Sequence, residues 1–493
     1  MFEVNASVIT TFAAYLVIMF AIGLWAFRQT HGVSDYFLGG RNLGPLPAAL
    51  SAGASDMSGW LLLGLPGYAY LAGFEAIWLA IGLMLGFWLN WLLMANRLRR
   101  YTIQCDDALT VPEYLSRRFD DKSGALQMIA AVVILVFFLF YTGSGLVAGG
   151  KLFATVFGLD YHLAVTIGAV CVVSYTLFGG FLAVTWTDVV QGLLMMAALL
   201  VVPVVILSEV NGDLVPSLNA INPHLTDVMR DVSGTPLSWI AIVSLVAWGL
   251  GYFGQPHILA RFAATRSDDA INTARKISVT WNFLCQIGAL LVGMTGLVYL
   301  AQHGLGPLDD SETVFIHMVN MLFHPWIAGV LLAAILAAVM STADSQLLVS
   351  SSAFTEDLYR RWLRPDASQE ELVWAGRIAV MAVCLMATVL AWNPDASVLE
   401  LVGYAWAGFG AAFGPVLLLS LYWRGMNRAG ALSGMLVGGA TVVIWRQLSG
   451  GIFDLYEILP GVVFALIAIF IGSKLGAPAT QKSLDDFDAI KNT

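Results

Sequence analysis

Along this chain, apolar runs long enough to cross a lipid bilayer follow one another almost without pause. Hydropathy marks about thirteen of them, near 7–27, 45–70, 75–95, 125–155, 161–180, 187–208, 238–258, 277–302, 326–352, 375–393, 398–421, 430–447 and 458–475. No other feature constrains the fold as tightly. In hydrocarbon every backbone N–H and C=O needs an internal partner, so runs of this length and spacing are helices. Of 493 residues 58% are hydrophobic and only 12% charged, too few charges to cover a soluble domain of this size. The fold class is an all-α polytopic membrane protein. The second and fourth runs exceed what a span needs, which predicts a tilt or a break in each.

The basic residues set the expected orientation. With the N-terminus outside and the C-terminus inside, about 21 of the 24 Lys and Arg fall on the inner side, leaving Lys151, Arg230 and Arg446. The outer loops are acidic instead, as in "LDDSE" at 308–312. Short amphipathic helices are expected in the inner segment 97–124, at "VPEYLSRRF", and in the outer segment 210–237. Residues 1–476 read as one transmembrane domain and 477–493 as a polar, loose cytoplasmic tail. Several function classes lose support. A net charge of −9 without a basic tail argues against nucleic acid. The scattered Cys105, Cys171, Cys285 and Cys384 form no metal spacing. There is no P-loop, HExxH or GxSxG, so no enzyme is expected, nor a filter motif of a channel. A gradient-driven transporter is the class that remains.

Ionisable and polar groups at membrane depth are costly, and they mark where such a protein works. In "SAGASDMSGW" (51–60), Asp56 lies among Gly53, Ser55, Ser58 and Gly59, all weak helix formers. A helix broken there exposes backbone groups that can hold an ion or a solute. In "AAVMSTADSQ" (337–346), Ser341, Thr342, Asp344, Ser345 and Gln346 bring hydroxyls and carbonyls suited to a hard cation such as Na⁺. Asp344 is either a second charge site or the cytoplasmic mouth. In "WGLGYFGQPHILARF" (248–262), Trp248 and Tyr252 are four apart and would share a helical face as a binding wall, with Gln255 and His257 beside them. Tyr141 would form the opposite wall. Asp188 in "TWTDVVQG" reads as the N-cap of the sixth span. Arg41 in "LGGRNLG" reads as a gate residue or a positive-inside anchor.

The stretches "LGGRNLGP", "SAGASDMSGWLLLGLPG", "GGFLAVTWTD", "GYFGQPHILARF", "AILAAVMST", "FTEDLY" and "GYAWAGFGAAFGP" together resemble the sodium/solute symporter family, from the first span to about residue 475. The resemblance implies a LeuT-like core of two inverted five-helix repeats, about 45–208 and 238–421. An extra helix at 7–27 would precede it and two helices at about 430–475 would follow. It implies a bacterial inner-membrane protein that couples inward sodium movement to uptake of L-proline, with no organic cofactor and no obligatory protein partner. A sodium- or proton-coupled symporter for another small amino acid or zwitterionic solute is the alternative. The family pattern places sodium at the carbonyls of Ala54, Met57 and Ala338 and the hydroxyls of Ser341 and Thr342, with Asp56 implied in coupling. Ser58 and Gly59 follow in the same motif. Tyr141, Trp248, Tyr252 and Pro256 match positions associated with proline; Trp60 and Gln255 join them as expected pocket walls. Arg41 and Asp188 match positions linked to the sodium-dependent cycle. The pair Asp344–Ser345 in "STADSQ" departs from the pattern and leaves a second cation open.

Overall fold

A computed structural model of the chain describes residues 6–28, 38–176 and 180–491. The first half runs α1 (Ala6–Phe27), α2 (Pro45–Asp56), α3 (Leu65–Ala72), α4 (Ala76–Leu93), α5 (Ala95–Gln104), α6 (Val111–Arg118), α7 (Ala125–Phe157), α8 (Tyr161–Thr176), α9 (Phe181–Glu209) and α10 (Leu214–Ile221). The second half runs α11 (Trp239–Ala247), α12 (Pro256–Ala264), α13 (Asp268–Gln302), α14 (Val314–Leu322), α15 (Pro325–Ser352), α16 (Gln369–Leu390), α17 (Val398–Tyr422), α18 (Arg428–Trp445), α19 (Ile458–Leu475) and α20 (Gln481–Lys491). Among the described residues, ten helices are long and apolar enough to cross a membrane. Each apolar run expected from the sequence is one helix here, or a pair of half-helices.

Two runs are broken, and both breaks follow from local chemistry. α2 stops at Met57, whose ψ of 77° leaves the helical region. The chain resumes as a π-helix, Trp60–Gly64, before α3. Pro66 lacks the N–H that would continue the regular ladder, so the turn before it is wound wide. The second break is a 3₁₀ stretch, Trp248–Gly254, ending at extended Gln255, with Pro256 opening α12. Its glycines let neighbours close in: a Cβ on Gly249 would stand 2.2 Å from Gly82 O on α4, and one on Gly251 would stand 1.9 Å from the Trp406 ring nitrogen. The fourth run has no break. α7 is one 33-residue helix, longer than a perpendicular span requires, which leaves tilt as its accommodation.

The broken helices are tied together at the end that carries most basic residues. Leu43, before α2, donates to the carbonyl of Ala264, the last residue of α12, at 3.1 Å and accepts from the Arg266 N–H just beyond it at 3.0 Å. α2, α9 and α13 meet where Trp281 packs over Gly53 and donates its ring N–H to Gly192 O at 3.1 Å.

The segments 97–124 and 210–237 hold the expected helices. Thr110 caps α6 through the Glu113 N–H at 3.1 Å, and the Glu113 carboxylate returns to the Leu109 N–H at 2.7 Å. The tail, by contrast, is not loose. α20 lays Ser483, Phe487 and Ile490, all buried, along one face. Buried Arg118 donates to Ser483 Oγ at 2.5 Å, and Arg424 makes a two-pronged pair with Asp488 at 2.8 and 2.9 Å. The tail's overall polarity masked that stripe in the sequence. Truncating Phe487 to Ala removes the ring packed beside Tyr101 and Arg118, and α20 is expected to undock. Amide hydrogen exchange over 481–491 would then approach that of free peptide; protection unchanged from the wild type would contradict this packing.

Candidate functional site

The break in α2 faces the middle of α15, and oxygen atoms converge there. Ser341 Oγ donates to Ala54 O at 2.8 Å, and Thr342 Oγ1 lies 3.4 Å from the same carbonyl. Ser341 Oγ is also 3.2 Å from Ala338 O. All four residues are buried. Met57, the remaining expected ligand, ends α2 three residues on, with its N–H on Gly53 O. A hydroxyl whose proton now rests on a carbonyl can turn its lone pairs toward a cation, so these atoms fit a small hard ion. Four of the expected sodium ligands are therefore in mutual contact, contributed by two different helices.

Asp56 points elsewhere. Its Oδ2 accepts from Tyr252 Oη at 2.9 Å, and its backbone carbonyl accepts from Tyr141 Oη at 3.0 Å and Trp60 Nε1 at 3.2 Å. Its Oδ1 is buried and, among the described residues, has no hydrogen-bond partner. A buried carboxylate with an unused oxygen is costly unless something positive completes it. Tyr252 thus holds the Asp56 carboxylate, while Tyr141 and Trp60 hold its backbone carbonyl, at the break of the helix. Ser58 and Gly59 supply the break itself: the Ser58 N–H bonds Asp56 O at 3.0 Å, and a Cβ on Gly59 would lie 2.4 Å from Ala148 Cβ on α7.

Trp248 does not share the face of Tyr252. It stacks on Tyr456 with ring centroids 5.2 Å apart, while Tyr252 meets Trp406 edge-on at 4.8 Å. The reason is the winding. In a 3₁₀ stretch residues four apart diverge by about a third of a turn, whereas in an α-helix they align. Trp406 links the two, donating its ring N–H to Trp248 O at 2.7 Å. Gln255 donates to Gly251 O at 3.0 Å, and Pro256 begins α12 immediately after it. Trp406 was not singled out from sequence, although a tryptophan inside the small-residue run "GYAWAGFGAAFGP" is a usable signal.

Asp188 is not an N-cap. It lies two turns inside α9, fully buried, and its Oδ2 accepts from Ser51 Oγ at 2.6 Å and Arg261 Nη2 at 3.3 Å. Arg261 also donates to Ser345 Oγ at 2.6 Å, Ser51 Oγ at 3.0 Å and His257 O at 2.8 Å. One guanidinium thereby joins α2, α9, α12 and α15. Arg261 and Ser51 were missed as site residues, because Arg261 reads from sequence as one more inner basic residue. Asp344, beside Ser345 in the chain, is fully buried, so it does not open on a solvated mouth. Arg41 makes a second tie on the basic face: its guanidinium binds Ala263 O at 2.8 Å, Thr102 Oγ1 at 3.0 Å, Ala108 O at 2.7 Å and Asp107 Oδ1 at 2.6 Å.

The chain has known relatives. The model of the sodium:solute symporter family matches residues 36–438. The sodium/proline symporter of Escherichia coli (strain K12) is 52% identical over 492 residues, covering 99% of this chain and 97% of its own length. The high-affinity proline transporter of Bacillus subtilis (strain 168) is 50% identical over 478 residues, covering 96% and 99%. Among solved structures, a Na⁺-coupled sialic acid symporter in a substrate-bound outward-open state superposes with a TM-score of 0.82 at 21% identity, over 97% of this chain and all of that one. A nucleobase-cation symporter, Mhp1, in a closed conformation gives 0.56 at 14% identity, over 93% and 99%. At these identities the structural likeness speaks to fold alone, a LeuT-like core built from two inverted five-helix repeats.

Proposed function

Because the chain belongs to the sodium:solute symporter family, we propose that it couples inward sodium movement to the uptake of L-proline by alternating access. The observation that carries this reading is the adjacency, at one helix break, of a hydroxyl–carbonyl cradle on α2 and α15 and of an aromatic-bound carboxylate two residues on. Near 50% identity to proline transporters over almost the whole chain supports the choice of solute.

The chain's own groups suggest how the work is divided. Sodium seated among Ala54, Met57, Ala338, Ser341 and Thr342 bridges α2 and α15, and stabilises the arrangement in which the α2 break is open to solute. Proline is a zwitterion with an apolar ring. Trp60, Tyr141 and Tyr252 suit its ring, and Asp56 suits its ammonium or the sodium charge. Ions drive a conformational change only by binding one state better than the other. With the N-terminus outside, the C-terminus inside and the bacterial inner membrane as location, a negative interior adds about 2.3 kcal/mol per charge per 100 mV to sodium entry. The two repeats, about 45–208 and 238–421, supply the bundles that rock.

Uptake of radiolabelled L-proline into proteoliposomes under an inward sodium gradient tests the reading, with other small amino acids and glycine betaine as competitors. Saturable sodium-driven proline uptake is expected. Sodium-driven movement of another zwitterion with proline inert would preserve the coupling and overturn the solute. Ser341→Ala deletes one cradle oxygen, and the sodium concentration for half-maximal uptake should rise about tenfold, the scale of one hydrogen bond to a charged group. An unchanged sodium requirement would remove Ser341 from the cradle.

A further inference from the structure

α1, the helix that precedes the repeats, presses on the cradle helix. Its buried residues Val8, Phe12, Tyr15, Met19 and Ala26 recur at helical spacing, a single stripe turned toward the protein. It approaches α15 closely: a Cβ on Gly329 would stand 1.9 Å from Thr11 Oγ1. Within that apolar stripe sits one hydroxyl. Tyr15 Oη accepts from Gln191 Nε2 at 2.8 Å and donates to Met340 Sδ at 3.9 Å. A thioether is a weak acceptor, so a phenylalanine would pack here with less polar burial. The hydroxyl's value therefore lies in the two groups it joins.

Both lead to the cation cradle. Met340 immediately precedes Ser341 on α15. Gln191 lies one turn beyond Asp188 on α9, and its neighbour Gly192 packs against Ala54, since a Cβ there would be 3.5 Å from Ala54 Cβ. Ala54 O is the carbonyl that receives Ser341 and Thr342. Tyr15 thus spans the gap between the face of α9 behind Ala54 and the turn of α15 that carries the hydroxyls. Gln191 Oε1 is buried without a hydrogen-bond partner, so among the described residues the tyrosine is what anchors this side-chain amide.

We propose that Tyr15 is a positioning residue for sodium: by holding Gln191 and Met340 at fixed separation, it sets the distance between Ala54 and the Ser341–Thr342 pair. The inference rests on the cradle assignment made above. It gives α1, which lies outside the two repeats, a role in ion affinity rather than in packing alone.

The test is Tyr15→Phe, which keeps the ring and removes the hydroxyl. Two quantities are read: the sodium concentration for half-maximal proline uptake, and ²²Na⁺ binding to purified protein without proline. Both should weaken about fivefold, the scale of one buried hydrogen bond. The maximal rate and the proline KM at saturating sodium should stay near wild type. Gln191→Leu should weaken sodium similarly, and the double variant should be no worse than either single one, because both changes break the same link. Ser341→Ala is run beside them. If it raises the sodium requirement while Tyr15→Phe lowers only the maximal rate, Tyr15 merely packs and the proposal fails. If neither variant moves sodium binding, the cradle assignment fails and the role of Tyr15 falls with it.

Discussion

Asp56→Asn should abolish most sodium-driven proline uptake at ordinary sodium concentrations and recover part of it when sodium is raised. The amide matches the carboxylate in size and can still accept from Tyr252, so the fold should survive. What disappears is the negative charge beside the cradle and the strong acceptor at Oδ1, which has no hydrogen-bond partner among the described residues. A hydrogen bond to a charged group contributes about 1.5–3 kcal/mol, which corresponds to roughly ten- to hundredfold in the sodium requirement. Concentration series of sodium in proteoliposomes, with Asp56→Asn and wild type side by side, measure it. Wild-type uptake in the variant would mean that the 51–60 stretch acts only as a hinge, and that coupling resides in Ser341, Thr342 and Asp344.

Arg261→Met should be the most damaging single change to the folded protein. It leaves Asp188 charged and fully buried with Ser51 as its remaining side-chain partner among the described residues, and breaking such a pair costs about 3–5 kcal/mol. The expected result is a sharp fall in the yield of monodisperse protein and no measurable uptake. Asp188→Asn with Arg261→Met removes both charges, so folded yield should return. Transport should stay weak, because the tie among α2, α9, α12 and α15 is still missing. If Arg261→Met alone folds and transports like wild type, this network has no part in the cycle.

What was legible in the sequence follows the range of the physics involved. Spans were legible because bilayer thickness is written locally, as a count of apolar residues. Both helix breaks were legible for the same reason: Ser58, Gly59 and Pro66, or Gly249, Gly251, Gly254 and Pro256, weaken a helix wherever they occur. The hydroxyl pair on α15 stood out by density of oxygen. Its partner, Ala54 O, carries no side-chain signal and came only from the family resemblance. The Asp188–Arg261 pair was illegible because the two residues lie 73 positions apart and each has an ordinary local explanation, a helix cap and an inner anchor. The divergence of Trp248 from Tyr252 was hidden as well, since nothing in a four-residue spacing reveals a 3₁₀ winding. Tyr15 carries no local signal within the first helix, and its meaning appears only once Gln191 and Met340, 176 and 325 positions away, are seen against it.

Sodium and proline should move together through one site at the α2 break. Measuring ²²Na⁺ entry into proteoliposomes on addition of external L-proline, with no proton gradient, tests it most directly. Proline should evoke sodium entry that saturates with proline, in a fixed ratio to labelled proline taken up, and Ser341→Ala should suppress both fluxes in parallel at low sodium. Proline accumulation without sodium entry, driven instead by an imposed proton gradient, would contradict the account.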